Sequence, residues 1–293
     1  MKDSTKGYFL GSLAAVSYGI NPIAVILYNN GLTVDSVLFY RYVLAVAALG
    51  IVLLWRRKSF AVKLRDLPWL VCSGLLFSAS SMALFLSYKY IDVSIASTLL
   101  FVYPAMVTLI MMIFFRERPT TKKVAALVLV FFGVVLLNGG SEAHSTNAFG
   151  VLIVMLSALA YAIYMVACQK SRLREIPAAK FSFYSLMFGS TLYIVRLDFC
   201  AELQPLTNGT AVACVLALAL LPTLVSITAL AKAIHYIGSS STAILGALEA
   251  VTAVLIGVVA FGERPTALAV LGMVMVLFAV TLIVAGNKAK NSS

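Results

Sequence analysis

The chain has 293 residues, of which 62% are hydrophobic and 11% are charged, and its 22 Lys and Arg exceed its 11 Asp and Glu. Soluble domains average about 45–50% apolar and about 25% charged residues, so a soluble fold of this length could not bury so much apolar surface. The composition excludes a soluble domain. The basic excess does not indicate a nucleic-acid partner, because most of the cations fall in short gaps between apolar runs.

Ten apolar runs follow one another along the chain, each close to the about 17–25 residues that a helix needs to cross a bilayer. We predict spans one to ten at 7–28, 36–55, 68–89, 94–115, 120–138, 148–168, 178–196, 211–234, 239–261 and 266–286. The first run is too long for a signal peptide and lacks a small-residue cleavage pattern, so we expect it to remain as a span. The predicted fold class is an all-α polytopic membrane protein.

The positions of Lys and Arg predict the orientation of the spans, because cytoplasmic loops of membrane proteins are enriched in both. If the N-terminus is cytoplasmic, seventeen of the 22 lie in cytoplasmic segments. Near the opposite face lie only Arg41, Lys89, Arg196 and Arg264, while Lys232 falls inside span eight. We therefore expect a multi-pass protein of the plasma (inner) membrane with both termini in the cytoplasm.

An internal repeat divides the chain into halves. At an offset of 146 residues, positions 83–140 and 229–286 share twenty identities in fifty-eight, including the segment "ERPT" at 117–120 and 263–266. Each half carries five predicted spans, and an odd number forces the second half to enter the membrane from the opposite side. The prediction is two inverted five-helix repeats, 1–140 and 147–287, which is typical of secondary transporters.

Each ERPT segment would form a tight hairpin, between spans four and five and between spans nine and ten. Pro119 and Pro265 suit the first turn of the helix that follows, where a missing N–H costs little. The repetition of these charges on opposite membrane faces marks the duplication rather than a catalytic site.

Several segments together resemble the EamA-type branch of the drug/metabolite transporter superfamily: "YGINPIA" in span one, "ALAYAIYMVACQK" in span six, and "YPAMVTLIMMIFFRERPT" followed by "LEAVTAVLIGVVAFGERPT". The resemblance covers nearly the whole chain. It implies a five-plus-five inverted-repeat fold and export of small metabolites, often amino acids and including aromatic ones, or of toxic compounds.

One departure from that family concerns span nine. Members of the family usually have proline after the glutamate of this span, whereas Ala250 follows Glu249 here and Pro104 is retained at the equivalent place in span four. Because proline bends helices, we expect a weaker bend in span nine than in span four.

Glu249 lies about ten residues into span nine, near the bilayer midplane. A charge at that depth costs about 2.5–3.5 kcal/mol on insertion scales. The cost favours a functional carboxylate, either a contact for a substrate amine or a protonatable coupling group. A structural partner for a polar group of another helix is the alternative.

Two cations also fall within predicted spans. Lys232, near the cytoplasmic end of span eight, either extends to the headgroups, pairs with Glu249 or binds a substrate carboxylate. Arg41, inside span two, is either an interfacial anchor or a planar bidentate donor for a substrate carboxylate.

Polar and aromatic side chains recur at helical spacing in several spans and indicate a cavity wall. Tyr103 in span four is the repeat counterpart of Glu249, and its depth is wrong for an interfacial aromatic belt. Close helix packing is the alternative for the serines. The predicted substrate-binding residues are Ser17, Tyr18, Asn21, Arg41, Ser78, Ser81, Phe85, Tyr103, Tyr161, Tyr164, Lys232 and Glu249.

No enzymatic motif accompanies these residues. The chain has no GxxxxGK[ST] segment for ATP, no HExxH and no CxxC among its four cysteines, so we expect no catalytic residues, no metal and no cofactor. The predicted function is an alternating-access exporter of amino acids or small metabolites, with a small-molecule substrate, the lipid bilayer and a possible proton as partners. The alternatives are an exporter of lipophilic drugs, a nucleotide-sugar carrier, and a non-transporting membrane enzyme or scaffold. Whether the protein is a monomer or a homodimer stays open.

Overall fold

The computed structural model describes residues 3–29, 31–87, 90–91, 96, 99–138, 147–261 and 266–290, and the apolar runs among them are mainly helical. In the first half, the helical segments are Asp3–Tyr18, Asn21–Ile23 and Ala24–Asn29 in span one, Val34–Trp55, Leu67–Ser87, Tyr103–Phe115 and Thr121–Asn138. In the second half, they are Ala148–Lys170, Ala178–Arg196, Gly209–Leu218, Ala219–Val225 and Ser226–Ile237 in span eight, Ser239–Leu245 and Leu248–Phe261 in span nine, and Ala267–Lys290. The predicted order of ten helical spans is confirmed.

Length and composition agree with a membrane location. Five of the described helical stretches are by themselves long and apolar enough to cross a bilayer: Val34–Trp55, Leu64–Ser87, Ala148–Lys170, Gly209–Ile237 and Ser239–Ile256. Large apolar side chains remain exposed along the outside of the bundle, for example Phe132, Leu156 and Phe278. In a bilayer such a surface faces lipid and needs no further cover.

Equivalent contacts in the two halves show the inverted repeat. Span one packs along span eight as span six packs along span three, and spans five and ten pack against each other. A Cβ atom built on Gly7 would lie 2.6 Å from Ile237, and one built on Gly150 would lie 2.8 Å from Ile91. Gly7 corresponds to Gly150 and Ile91 to Ile237 in the repeat, so the same close helix crossing occurs twice.

A pair of interhelical hydrogen bonds repeats in the same way. The Ser80 hydroxyl donates to the backbone oxygen of Ser157 at 2.9 Å, and the Ser226 hydroxyl donates to the backbone oxygen of Ala14 at 2.8 Å. Ser157 returns the bond to the oxygen of Ser80 at 2.7 Å, which Ala14 cannot do. Small residues and hydroxyl groups thus hold these helices together, as expected where no hydrophobic effect drives association.

Four spans leave regular α-helix at their middle. Span one is interrupted at Gly19 and Ile20, span four turns at Phe101 and Val102, and span eight contains the π-helical segment Ala219–Val225 around Pro222. Irregular backbone at membrane depth is tolerated only where it is buried in protein or lines a cavity. The interruptions therefore mark the centre of the bundle as the place to look for a site.

Span nine is interrupted too, at Gly246 and Ala247, although Ala250 stands where the family usually has proline. The N–H groups of Ala247 and Glu249 donate to the oxygens three residues earlier, at 3.2 and 2.9 Å, which is a 3₁₀ pattern. Span nine is therefore interrupted even though it lacks the proline. The interruption lies at the same level as the turn in span four.

The hairpin at 117–120 corrects one expectation about the ERPT segment. Helix Thr121–Asn138 begins after Thr120, whose side chain accepts from the N–H of Lys123 at 3.4 Å, so Pro119 precedes the cap and does not lie in the first turn. Thr266 accepts from the N–H of Ala269 at 3.1 Å in the same way. Pro265 lies outside the described residues. The threonine, which can accept a hydrogen bond from the orphan N–H groups, is the capping residue of the motif.

Candidate functional site at the centre of the bundle

Arg41 is the centre of a buried polar network that joins spans one, two and eight. Its side chain is only 5% exposed. Nη1 donates to Oδ1 of Asn21 at 2.9 Å, and Nε donates to Oγ1 of Thr223 at 2.5 Å. The guanidinium carbon also lies 5.3 Å from the centre of the Tyr18 ring, within the range of a cation–π interaction. A planar cation is thus held in one orientation inside the membrane.

The breaks in spans one and eight supply these partners. Asn21 begins the 3₁₀ turn Asn21–Ile23, and Thr223 lies in the π-helical segment after Pro222. The Thr223 hydroxyl donates to the oxygen of Leu218 at 2.8 Å, a spacing of five residues. Both hydrogen-bond acceptors of Arg41 therefore lie on irregular backbone, so the orientation of the arginine depends on the two helix interruptions.

Glu249 lies directly after the break in span nine, in the first turn of helix Leu248–Phe261. The N-terminal end of a helix carries a partial positive charge, which favours a carboxylate there. Among the described residues, Arg41 is the cation whose field acts on this carboxylate, although the two groups do not form a direct ion pair. The site therefore holds one fixed cation and one carboxylate that are separated from each other.

Tyr103 connects span four to the break in span nine. Its hydroxyl donates to the backbone oxygen of Ala243 at 3.2 Å. In a continuous α-helix that oxygen would accept from Ala247, whose N–H bonds Ile244 instead. Gly246 has no side chain, and a Cβ atom there would collide with the Tyr103 hydroxyl. The Ala243 oxygen also accepts from the N–H of Gly246 at 3.1 Å, so the tyrosine adds a donor from span four to a carbonyl at the break.

An aromatic cluster lies beside the two charged groups. The rings of Tyr103 and Tyr161 are 4.9 Å apart in an edge-to-face arrangement, and Tyr161 stacks on Tyr164 at 6.0 Å. Phe77 lies 5.2 Å from Tyr164 and 6.2 Å from Tyr161. Such a wall offers ring faces and edges to an apolar or aromatic ligand.

The predicted site residues differ in how far their side chains are exposed. Half-buried side chains at this depth face a space inside the bundle if they do not face lipid. The half-buried members of the predicted set are Tyr18, Asn21, Ser81, Phe85, Tyr161 and Glu249. Arg41 and Tyr103 are buried directly behind them.

Three predicted residues are buried in the described structure, two of them at contacts between side chains of different spans. Ser78 is fully buried at the contact between spans three and seven, where a Cβ atom on Gly189 would collide with its hydroxyl. Tyr164 is 1% exposed and stacks between Tyr161 and Phe181. Ser17 is buried as well. The alternative reading of the serines as close helix packing fits Ser78 better than contact with substrate.

Lys232 does not join the central cluster. It is exposed at the end of span eight, where it lines a pocket together with Lys6 and His235. The ion pairs formed by the described residues do not include one between Lys232 and Glu249. A lysine close to a helix end extends to the interface at lower cost than into the bundle.

Sequence reasoning missed Thr223. A threonine in an apolar helix usually bonds its own backbone, so its presence alone carries no signal. The adjacent Pro222 was the available sign, because proline inside a span frees a backbone carbonyl and marks irregular helix.

The arrangement suits recognition rather than covalent chemistry. No group of three or more His, Cys, Asp or Glu side chains that could hold a metal occurs in the described part of the chain. The two charged groups lie on different spans, Arg41 in span two and Glu249 in span nine. They could bind the two ends of a ligand that carries both charges.

Comparison with known proteins identifies the type of molecule. The model of the EamA-like transporter family matches residues 5–139 and again residues 148–285. A crystal structure of another protein superposes with a TM-score of 0.81 over 94% of this chain and 97% of the other, at 17% identity, which shows a shared fold alone.

Three relatives are described as uncharacterized transporters. YdfC of Bacillus subtilis is 24% identical over 72% of this chain and 69% of its own length, and sll1319 of Synechocystis is 28% identical over 75% and 68%. A protein of Archaeoglobus fulgidus is 27% identical over 54% of this chain and 56% of its own length, so that this match spans about half of each. With both halves matched by the same family model, the chain belongs to the EamA-like transporter family and is a multi-pass membrane transporter of a small molecule.

Proposed function

We propose that this transporter exports amino acids, with a preference for aromatic or hydrophobic side chains, or closely related small metabolites. The observation that carries the proposal is the separation of one fixed cation, Arg41, from one carboxylate, Glu249, beside a wall of tyrosine rings. An amino acid has the matching chemistry: a carboxylate, an ammonium group and a side chain.

The hydrogen bonds of Arg41 support the carboxylate end of the proposal. Nε and Nη1 bond Thr223 and Asn21, while Nη2 makes neither of these bonds. An arginine held in this way can present its remaining donors to a carboxylate without losing side-chain entropy on binding. Charge-assisted hydrogen bonds of this kind contribute about 1.5–3 kcal/mol.

The ammonium end of the ligand would lie at Glu249, and its side chain would lie against Tyr103 and Tyr161. We further propose that Glu249 carries the coupling proton, since one carboxylate cannot hold a proton and bind an ammonium group at the same time. Proton entry from outside would then displace the substrate, which is the order that export against a gradient needs.

Helix packing supports a particular form of alternating access. Span one packs along span eight, and span three along spans six and seven. We propose that the moving bodies are two bundles that each combine spans of both repeats, rather than the repeats 1–140 and 147–287 rocking as units. The half-buried side chains between the bundles would line the path.

Of the alternatives, export of lipophilic drugs would use the aromatic wall but leave Arg41 without a role. A nucleotide-sugar carrier needs several cations for its phosphates. With Lys232 at the surface, Arg41 is the single Lys or Arg in the described central cluster. Both observations favour an amino acid.

The experiment is uptake by purified protein in proteoliposomes, with a panel of amino acids and with or without a pH gradient. The proposal predicts saturable transport of at least one aromatic or hydrophobic amino acid. Glu249→Gln should lose the response to the pH gradient, whereas Glu117→Gln, in the hairpin between spans four and five where Glu117 pairs with Lys123, should keep it. Failure of every amino acid to move would refute the substrate class, and a proton-responsive Glu249→Gln would refute the coupling role.

A further inference from the structure

A polar cavity lies at the end of the bundle where span one begins, and Glu249 is not among its lining residues. Its volume is about 500 Å³. It is lined by Lys6, Phe9 and Leu10 of span one, Ala178 of span seven, and Lys232, His235 and Tyr236 of span eight. We call it the basic pocket. Two of its lining side chains are lysines from different helices, and the others supply a hydroxyl, an imidazole and apolar surface.

The inverted repeat provides an internal control for the basic pocket. The equivalent crossing of spans six and three, around Gly150, has the same close backbone approach as the crossing around Gly7. In the repeat alignment Lys6 corresponds to Phe149 and Lys232 to Leu86, and both of these apolar residues are exposed on the outside of the bundle. Packing of the two helices therefore does not require the cations, since the second copy of the crossing is built without them.

The charges in the pocket are only weakly neutralised by the protein. Lys6 pairs with Asp3 at 3.0 Å, but their side chains are 44% and 75% exposed, and such surface pairs stabilise little. Lys232 takes part in none of the ion pairs formed by the described residues. An exposed lysine near the membrane surface without a counterion from the chain attracts an anion from its surroundings.

We propose that the basic pocket binds the headgroup of an anionic phospholipid. The ammonium groups of Lys6 and Lys232 and the hydroxyl of Tyr236 would contact the phosphodiester oxygens, and Phe9 and Leu10 would contact the first part of an acyl chain. Basic pockets between spans are suited to anionic headgroups, and each lysine near the surface contributes about 1 kcal/mol to such binding. The lipid would join the start of span one to the end of span eight. The proposal does not depend on which substrate the transporter moves.

Native mass spectrometry of the detergent-purified protein, after titration with phosphatidylglycerol or phosphatidylcholine, tests this site. We expect one phosphatidylglycerol to bind more tightly than phosphatidylcholine. Lys232→Leu copies the residue of the second repeat and should weaken that binding about fivefold, the effect of one surface charge. Lys58→Leu removes an equally exposed lysine from the loop after span two and should leave it unchanged.

Two outcomes would overturn the proposal. Equal binding of phosphatidylglycerol by the wild type, Lys232→Leu and Lys58→Leu would show that the pocket is not the lipid site. Displacement of the lipid by an equal concentration of inorganic phosphate would show that the pocket binds free phosphate instead. Thermal denaturation of each variant without added lipid separates a loss of binding from a loss of fold.

Discussion

At the scale of single residues, the molecule separates charges that lie inside the bundle from charges that lie at its edge. The position of Arg41, Asn21 and Glu249 at mid-span could be predicted from the sequence, and their role in the site stays a prediction that rests on the cost of a polar group at that depth. Lys232 is also a charged residue within an apolar run, but it lies close to the end of its helix, so its side chain reaches the surface. Depth along the span, more than residue type, decides which charge lies inside the bundle.

Thr223 gives a prediction at this scale. Thr223→Val keeps the shape of the side chain and leaves the buried Nε of Arg41 without an acceptor, which costs about 1–3 kcal/mol. We expect the KM for a transported amino acid to rise about tenfold or more, because the guanidinium loses its fixed orientation. Proteoliposome kinetics measure the change.

Two further variants control for this change. Thr223→Ser retains the hydroxyl and should transport nearly as well as the wild type. Thr281→Val removes an exposed hydroxyl that bonds only the oxygen of Leu277 in its own helix, and should have no effect. An unaltered KM in Thr223→Val would contradict the positioning role.

At the scale of elements, helix interruptions distinguish the site from its scaffold. Apolar composition predicts where a span lies, but an interruption such as that in span nine depends on contacts with other spans. The oxygen of Ala243 bonds a tyrosine that is 140 positions away in the sequence. Local sequence rules that consider Pro104 and Ala250 could not detect this contact.

Gly246 and Tyr103 give a prediction for the element scale. Gly246→Ala should destabilise the protein by about 1–3 kcal/mol, because the new Cβ atom collides with the Tyr103 hydroxyl. Tyr103→Phe removes that oxygen, and the atoms that then lie nearest to the Cβ position are the backbone oxygen of Ala243 at 2.9 Å and a ring carbon at 3.1 Å. The double variant should therefore lose less stability than the two single losses added together. Denaturation in detergent measures all three variants.

Gly209→Ala is a suitable control, because nothing lies within 4 Å of a Cβ atom built at that position near the start of span eight. It should be neutral or slightly stabilising. If the stability losses of Gly246→Ala and Tyr103→Phe simply add in the double variant, Tyr103 and Gly246 do not depend on each other. The interruption in span nine would then have another cause.

At the scale of the whole molecule, the duplication explains both the symmetry of the scaffold and the asymmetry of the site. The contacts of Gly7 and Gly150 match, whereas Tyr103 and Glu249 occupy equivalent positions with different chemistry. The repeat and the ten spans could be read from the sequence, because identities and apolar runs need no knowledge of contacts. The packing of span one along span eight, and of span three along spans six and seven, could not, because it depends on contacts between residues far apart in the chain.

Orientation in the membrane gives a prediction for the whole molecule. Seventeen of the 22 Lys and Arg lie on one side of the predicted spans, so both termini should be cytoplasmic. A fluorescent reporter that matures only in the cytoplasm should be bright when fused to either end, and a periplasmic phosphatase should be inactive at both. A phosphatase that is active at one end would rule out this arrangement.

The central claim is that one site binds the two opposite charges of an amino acid, at Arg41 and at Glu249. The most direct test compares a transported amino acid with its decarboxylated amine and with its N-acetyl derivative, as competitors of uptake in proteoliposomes. Each derivative lacks one of the two charges, and the loss of a charge-assisted contact of about 1.5–3 kcal/mol predicts competition at least about tenfold weaker for both. Equal competition by the amine and the parent amino acid would contradict the role of Arg41, and equal competition by the N-acetyl derivative would contradict that of Glu249.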